Sequence, residues 1–127
     1  MKTINISTDG IQAEARLNNS TTANLFWNEL PIKGIVNLWG DEIYFSTGLQ
    51  PDLESGASDV VSSGDIAYWP PGTAFCIFYG LTPASLGEEI RAASKVNIIG
   101  KITGDEEVFK AVPNGTLITI TKSNHRE

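Results

Sequence analysis

The chain has 127 residues, of which 41% are hydrophobic and 19% charged, and its formal net charge is −6. This length and composition suit one globular domain over residues 1–127 with a single core. The negative net charge and the scattered positions of the lysines argue against a nucleic-acid partner, because phosphates require clustered Lys and Arg.

The N-terminal third predicts a hairpin followed by a helix. Apolar and polar residues alternate along residues 2–8 and 11–17, and Asp9-Gly10 between them is a strong signal for a two-residue turn. Residues 19–31 then predict a short helix, with hydroxyl side chains for an N-cap and a proline as its stop.

The middle of the chain predicts strands separated by a long loop. Residues 34–47 are rich in β-branched and aromatic residues, which favour strands. Residues 48–63 are rich in Gly, Ser, Asp and Pro and predict a surface loop with a brief apolar contact near its end. Two apolar runs follow at residues 65–69 and 74–79, and both predict strands.

A Trp-Pro-Pro-Gly string joins these two apolar runs. Pro71-Gly72 fits the central pair of a type II turn, because proline presets the first φ and glycine accepts a positive second one. Pro70 lacks an amide donor and suits the point where a strand leaves its ladder. The turn therefore explains the prolines but not the aromatic residues around them.

The last third predicts a loop at residues 81–94, a strand at 95–103, a small helix at 105–112 and a final strand at 116–122. About eight strands with two short helices and no βαβ repeat favour a mainly antiparallel sheet closed into a barrel. The two helices would cap its open ends.

Three segments resemble a known family. They are "NLWGDEIYFST", "GDIAYWPPGTAFCIFYGLTP" and "VNIIGKITG", and they are similar to motifs of a prokaryotic family of small, uncharacterised cyclophilin-like proteins. The resemblance covers residues 32–104. It implies a closed eight-stranded barrel with a cleft on its outer face, and it brings no assigned reaction.

Prolyl isomerase activity is not implied by this resemblance. Cyclophilins proper carry a Phe-His-Arg motif whose arginine stabilises the twisted amide of the substrate. Here the one histidine, His125, lies in the polar tail, and the arginines are Arg16, Arg91 and Arg126. The comparable strand begins with Glu42, which cannot replace an arginine. The sequence therefore predicts no catalytic residue and favours a protein that is not an enzyme.

Other site classes find little support. One histidine and one cysteine give no metal-ligand set, and Asp41-Glu42 is read as part of a solvated turn, so no metal or cofactor is predicted. Cys76 has apolar neighbours that suit a buried, inert thiol. Neither an export signal nor an apolar run of about 20 residues is present, so we expect a cytoplasmic protein without a membrane partner.

The aromatic residues are the remaining candidates. Along residues 65–69 a period of two places Ile66 and Tyr68 on one face and Ala67 and Trp69 on the other, and along 74–79 it separates Phe75, Ile77 and Tyr79 from Ala74, Cys76 and Phe78. Both faces are therefore apolar, so one fills the interior and the other needs a cover. The helices and the loops 48–63 and 81–94 provide that cover, or it is a ligand in an outer groove of aromatic rings with polar tips. The candidate ligand-binding residues are Trp39, Glu42, Tyr44, Tyr68, Trp69, Phe75, Phe78, Tyr79 and Asn97.

The leading hypothesis is a non-catalytic binding module whose groove holds a peptide, including a proline-containing one, or a small molecule. The first alternative is an enzyme, either a divergent prolyl isomerase or one that acts on a small metabolite with Glu42 or Asp65 as general acid or base. The second alternative is an accessory or assembly domain whose groove is occupied by another subunit.

Overall fold

Ten β-strands, one α-helix and two short 3₁₀ helices make up the computed structural model, which describes residues 2–123. His125 and Arg126 lie outside the described residues. No helix within residues 2–123 is long and apolar enough to cross a membrane. The elements are β1 (Thr3–Thr8), β2 (Ile11–Leu17), α1 (Thr21–Glu29), β3 (Ile32–Ile35), β4 (Asn37–Leu38), β5 (Glu42–Ser46), β6 (Ser58–Val61), β7 (Asp65–Trp69), a 3₁₀ helix (Pro70–Gly72), β8 (Ala74–Phe78), β9 (Ile90–Ile102), a second 3₁₀ helix (Glu106–Ala111) and β10 (Leu117–Lys122).

The strands pair antiparallel in the order β3-β10-β1-β2-β9-β7-β8-β5-β4, and β6 pairs with β9. The prediction of a mainly β fold is confirmed. The hydrogen-bonded ladder of residues 2–123 does not close, however, and it has ten strands instead of eight. The chain changes neighbours at Val36: β3 before it pairs only with β10, and β4 after it pairs only with β5. The Val36 N–H still donates to the Thr116 carbonyl at 2.8 Å, next to the β3–β10 pair.

The predicted hairpin and helix are confirmed in detail. Asp9 and Gly10 join β1 to β2 with φ values of 51° and 77°, the left-handed pair that this turn requires. Ser20 caps α1 by accepting a hydrogen bond from the Ala23 N–H at 3.1 Å. The predicted second helix is a 3₁₀ helix with Asp105 as its cap.

The predicted type II turn is wrong. Pro70–Gly72 form a 3₁₀ helix, and the positive φ of 45° falls on Thr73. Glycine is needed at position 72 for space: a Cβ there would lie 2.9 Å from two ring atoms of Trp69. The indole ring therefore packs directly against the turn that follows it.

Two segments predicted as loops contain strand. The predicted loop 48–63 includes β6, and the predicted loop 81–94 includes the first five residues of β9. These two segments pair with each other, Val61 opposite Ile90. Together they form an arm that lies over one face of β7 and β8.

The two faces of the β7–β8 hairpin bury different clusters. Ile66, Tyr68, Phe75, Ile77 and Tyr79 belong to the main core, which α1 and β1 also line. The opposite face belongs to a second, smaller cluster beneath the β6–β9 arm. Its buried members are Val61, Ala67, Ala74, Cys76, Phe78, Ala92 and Val96. The predicted division of the two faces is therefore confirmed.

Candidate functional site

A pocket opens on the outer face of the sheet, at the edge of the second cluster. Its volume is about 180 Å³, and most of its lining is apolar. It lies where the β4–β5 turn, β5, the end of β7 and the arm of β9 meet. The lining residues are Trp39, Glu42, Tyr44, Trp69, Ala92 and Ala93.

The β4–β5 turn positions Trp39. The Trp39 N–H donates to the Glu42 carbonyl at 3.0 Å and closes the turn. Gly40 has a φ of 61°, and a Cβ there would lie 2.8 Å from the Leu81 carbonyl oxygen. The Asp41 N–H donates to that same oxygen at 2.9 Å. The turn is therefore held against the segment after β8, and Trp39 is presented from an anchored backbone.

Glu42 and Tyr44 point to the same face of β5 because they are two residues apart. Tyr44 pairs directly opposite Cys76 on β8. Its ring meets the Trp69 ring edge-on, with centroids 6.3 Å apart and planes at 74°. Trp69 is fixed further by its Nε1–H, which donates to Ser94 Oγ at 2.7 Å. Two walls of the pocket are thus held by contacts within the chain, with their ring planes at a steep angle to each other.

Glu42 is the polar group of the pocket, and only 5% of its surface is exposed, so the expectation that Glu42 belongs to a solvated turn is wrong. Burial raises its pKa to about 7, and a hydrogen bond with the Cys76 thiol opposes this rise. The same burial, together with Glu42, raises the pKa of Cys76 well above its ordinary value. Among residues 2–123, no ion pair includes Glu42. The carboxyl group therefore titrates near neutrality without a cation beside it.

The structure brings four of the nine sequence-predicted site residues to this pocket: Trp39, Glu42, Tyr44 and Trp69. Four others lie elsewhere. Tyr68, Phe75 and Tyr79 face the main core, and Phe78 is fully buried in the second cluster.

Asn97 is also away from the pocket, and its amide is satisfied within the chain. Its Oδ1 accepts from the Glu54 N–H at 2.8 Å, and its Nδ2 donates to Thr22 Oγ1 and to the Asp52 carbonyl, both at 2.9 Å. Glu54 in turn accepts from the Thr22 N–H at the start of α1. These bonds attach the loop before β6 to the helix.

Asp65, the other candidate acid or base, also has structural partners. Its carboxylate accepts from the Ser62 N–H at 2.8 Å and lies 3.5 Å from Lys101 Nζ. It does not line the pocket. Within residues 2–123, no three His, Cys, Asp or Glu side chains are grouped so that they could hold a metal ion.

Sequence reasoning missed the wall formed by Ala92 and Ala93, and the neighbouring Ser94 that holds Trp69. These residues were assigned to a loop, although they form part of β9. Small side chains here leave the space beside Trp69 unfilled. The available signal was weak, because two alanines and a serine have no strand periodicity of their own.

Comparison with known proteins identifies a family and a solved structure to which this chain is similar. A family model described as "Cyclophilin-like" matches residues 2–121. The solution structure of a hypothetical protein, AF2241 from Archaeoglobus fulgidus, is 36% identical in sequence and superimposes with a TM-score of 0.81. The alignment covers 96% of this chain and 95% of the archaeal one. No curated protein matches the chain.

Proposed function

We propose that this chain, which belongs to the cyclophilin-like family, is a binding module and not a catalyst. Its outer pocket receives one projecting group of a peptide or a small molecule. The observation that carries this proposal is the pocket wall itself. Three aromatic side chains, Trp39, Tyr44 and Trp69, surround a space beside the buried Glu42 that the described part of the chain leaves unfilled.

The size of the pocket constrains the ligand. Pockets that enclose a whole drug-sized molecule have volumes of roughly 300–1,000 Å³, whereas this one has about 180 Å³. It therefore accepts a single side chain or head group, and the rest of the ligand lies on the surrounding surface. Tyr and Trp suit this role because they provide large apolar contact areas with little loss of conformational entropy.

Intrinsic tryptophan fluorescence tests the proposal. Two of the three tryptophans, Trp39 and Trp69, line the pocket, while Trp27 lies near Lys122, whose Nζ is 4.8 Å from the Trp27 ring centroid. We expect a panel of peptides, with and without proline, and of small metabolites to include a ligand that gives a saturable change.

Trp27→Phe should keep that change, and the double variant Trp39→Phe/Trp69→Phe should lose it. The absence of any saturable change across the panel would refute a binding role for the pocket. A change that depends on Trp27 alone would place the ligand elsewhere.

A second candidate function rests on Glu42. A carboxyl group with a pKa of about 7 is suited to act as a general acid or base near neutral pH. It would transfer a proton to or from a small metabolite held against the aromatic walls. Prolyl isomerisation has less support: the described arginines are not at the pocket, because Arg91 pairs with Asp59 and Glu89 and Arg16 lies on β2.

A protease-coupled prolyl isomerase assay and a metabolite turnover screen distinguish these candidates. Catalysis by the pocket requires that Glu42→Gln and Trp69→Ala reduce any observed rate. Rates that both variants leave unchanged would exclude a catalytic role for this pocket.

We also propose a cytoplasmic location. The one cysteine, Cys76, is free and buried, which agrees with a reducing compartment.

A further inference from the structure

Three aromatic side chains line the pocket. The rings of Tyr44 and Trp69 stand at 74° to each other, and Trp39 adds a third aromatic side chain from the β4–β5 turn. The backbone anchors of Trp39 and the Ser94 hydrogen bond of Trp69 hold these side chains before any ligand arrives. The π faces of aromatic rings carry partial negative charge and attract cations within about 6 Å.

Glu42, the polar group of the pocket, also favours a cation. Glu42 is buried, and neither a lysine nor an arginine of the described chain forms an ion pair with it. The other side chains that line the pocket are the alanines of β9, which bring no charge. A buried carboxylate without a cationic partner is unfavourable, so an incoming cation would supply what the chain itself lacks.

The titratable groups around Glu42 do not provide a positive charge either. The Cys76 thiol approaches from β8, Tyr44 is its neighbour on β5, and Asp41 precedes it in the turn. Tyr79 feels the charges of both Asp41 and Glu42, and burial together with these charges raises its pKa to about 12. None of these side chains is a lysine or an arginine, and Lys110, whose charge interacts with Asp41, forms its ion pair with Glu107.

We propose that the pocket binds an alkylated ammonium group, with the cation enclosed by Trp39, Tyr44 and Trp69 and neutralised by the Glu42 carboxylate. This inference rests on the proposed binding function and specifies its ligand class. A methylated ammonium fits for three reasons: it is compact, it sheds water more easily than a primary ammonium, and it presents methyl groups to the aromatic rings. Two sources of this group are a free small molecule such as choline and a trimethylated lysine side chain in a peptide.

Binding of such a cation is coupled to the proton on Glu42. A neighbouring positive charge favours the ionised carboxylate and lowers its pKa, so a proton leaves when the ligand enters. From a starting pKa of about 7, the ionised fraction rises from about 3% at pH 5.5 to about 90% at pH 8. If only the ionised form binds, the affinity increases about 30-fold over this range.

A pair of probes with matched shapes tests the charge requirement. Choline and 3,3-dimethyl-1-butanol differ mainly in replacing the cationic nitrogen by carbon. We expect choline to produce a saturable change in tryptophan fluorescence at pH 8, and the neutral alcohol to bind at least tenfold more weakly. A peptide with trimethyl-lysine, compared with the same peptide carrying unmodified lysine, forms the second arm and identifies the source of the cation.

Variants complete the experiment. Glu42→Gln keeps the shape of the side chain, and it should weaken choline binding at least tenfold at pH 8 and abolish the pH dependence. Trp27→Phe, outside the pocket, should leave both properties unchanged, and circular dichroism of each variant verifies its fold. Equal binding of choline and the alcohol, or unchanged binding of choline by Glu42→Gln, would overturn the proposal.

The outcomes separate this inference from the proposed function. If a neutral ligand binds in the pocket while choline and the trimethyl-lysine peptide do not, the cation is wrong and the binding function stands. If no member of the wider panel binds either, both are wrong.

Discussion

Replacing Glu42 by glutamine should change how the stability of the protein depends on pH. In the folded protein, burial raises the pKa of this carboxyl group from 4.5 to about 7. In the unfolded chain the group is solvated and has its ordinary pKa. Between these two values the folded state holds the proton and the unfolded state has lost it. The free energy of unfolding therefore decreases as the pH rises from about 4.5 to 7, and Glu42 opposes folding above that range.

The size of the effect follows from the pKa difference. Each unit corresponds to 1.36 kcal/mol, so the rise to about 7 corresponds to about 3 kcal/mol. Glutamine has the same shape and does not titrate, so Glu42→Gln lacks this pH-dependent loss. The free energy of unfolding of the variant, relative to the wild type, should increase by about 3 kcal/mol from pH 4.5 to pH 7.5. Changes in the hydrogen bond with Cys76 add an offset that is nearly constant over this range.

Urea denaturation at pH 4.5, 5.5, 6.5 and 7.5 measures this difference directly. Glu89→Gln is a matched control, because the pKa of Glu89 is lowered to about 2, first by the Leu86 N–H and further by the Gly87 N–H and the Arg91 side chain. Its stabilising effect is lost only as the pH falls from about 4.5 towards 2, so its difference from the wild type should stay constant above pH 5. A constant difference for Glu42→Gln as well would refute the assignment of a buried, unpaired carboxyl group.

Two further predictions concern buried polar groups outside the pocket. Asn97→Ala removes the amide that binds Glu54, Asp52 and Thr22. It should lower the free energy of unfolding by about 2–3 kcal/mol, at about 1 kcal/mol for each bond. It should also speed proteolysis of the loop that carries Asp52 and Glu54. Unchanged stability would show that the Asn97 hydrogen bonds do not hold this loop to the helix. Cys76 is 0% exposed and its pKa is raised. Ellman's reagent should therefore label this thiol only after unfolding in urea. Rapid labelling of the native protein would show instead that the thiol is accessible.

Local signals predicted those parts of the fold that depend on neighbouring residues. The Asp9-Gly10 turn and a hydroxyl N-cap, which Ser20 provides, were predicted because their effect is confined to one turn of the chain. The strand β6 could not be predicted in this way. Residues 58–61 carry a serine and an aspartate, and they become a strand by pairing with β9, about 30 residues away. Strand formation at this position is a tertiary effect that composition does not reveal.

The same limit applies to the candidate site. A period of two predicts which residues share a face, and it correctly separated Tyr68 from Trp69. Periodicity cannot say which of two apolar faces is the interior. Tyr68 is buried, and its hydroxyl donates to the Leu49 carbonyl at 2.9 Å, whereas Trp69 remains half-buried at the pocket. The number of aromatic residues in the hairpin therefore overstated how many of them line the pocket.

The β6–β9 arm explains why an open pocket remains at the end of the hairpin. Val61 and Val96 cover the middle of the outer face, where Cys76 and Phe78 are completely buried. Near Trp69 the arm presents Ser94, which accepts the indole hydrogen bond, and Ala92 and Ala93, which are too short to fill the space between the rings. Larger apolar side chains at these positions would complete the second cluster and bury Glu42 without access to a ligand. The small residues therefore keep the carboxylate and the aromatic walls accessible, and the Trp-Pro-Pro-Gly turn, with Gly72 against the indole, holds Trp69 in place beside them.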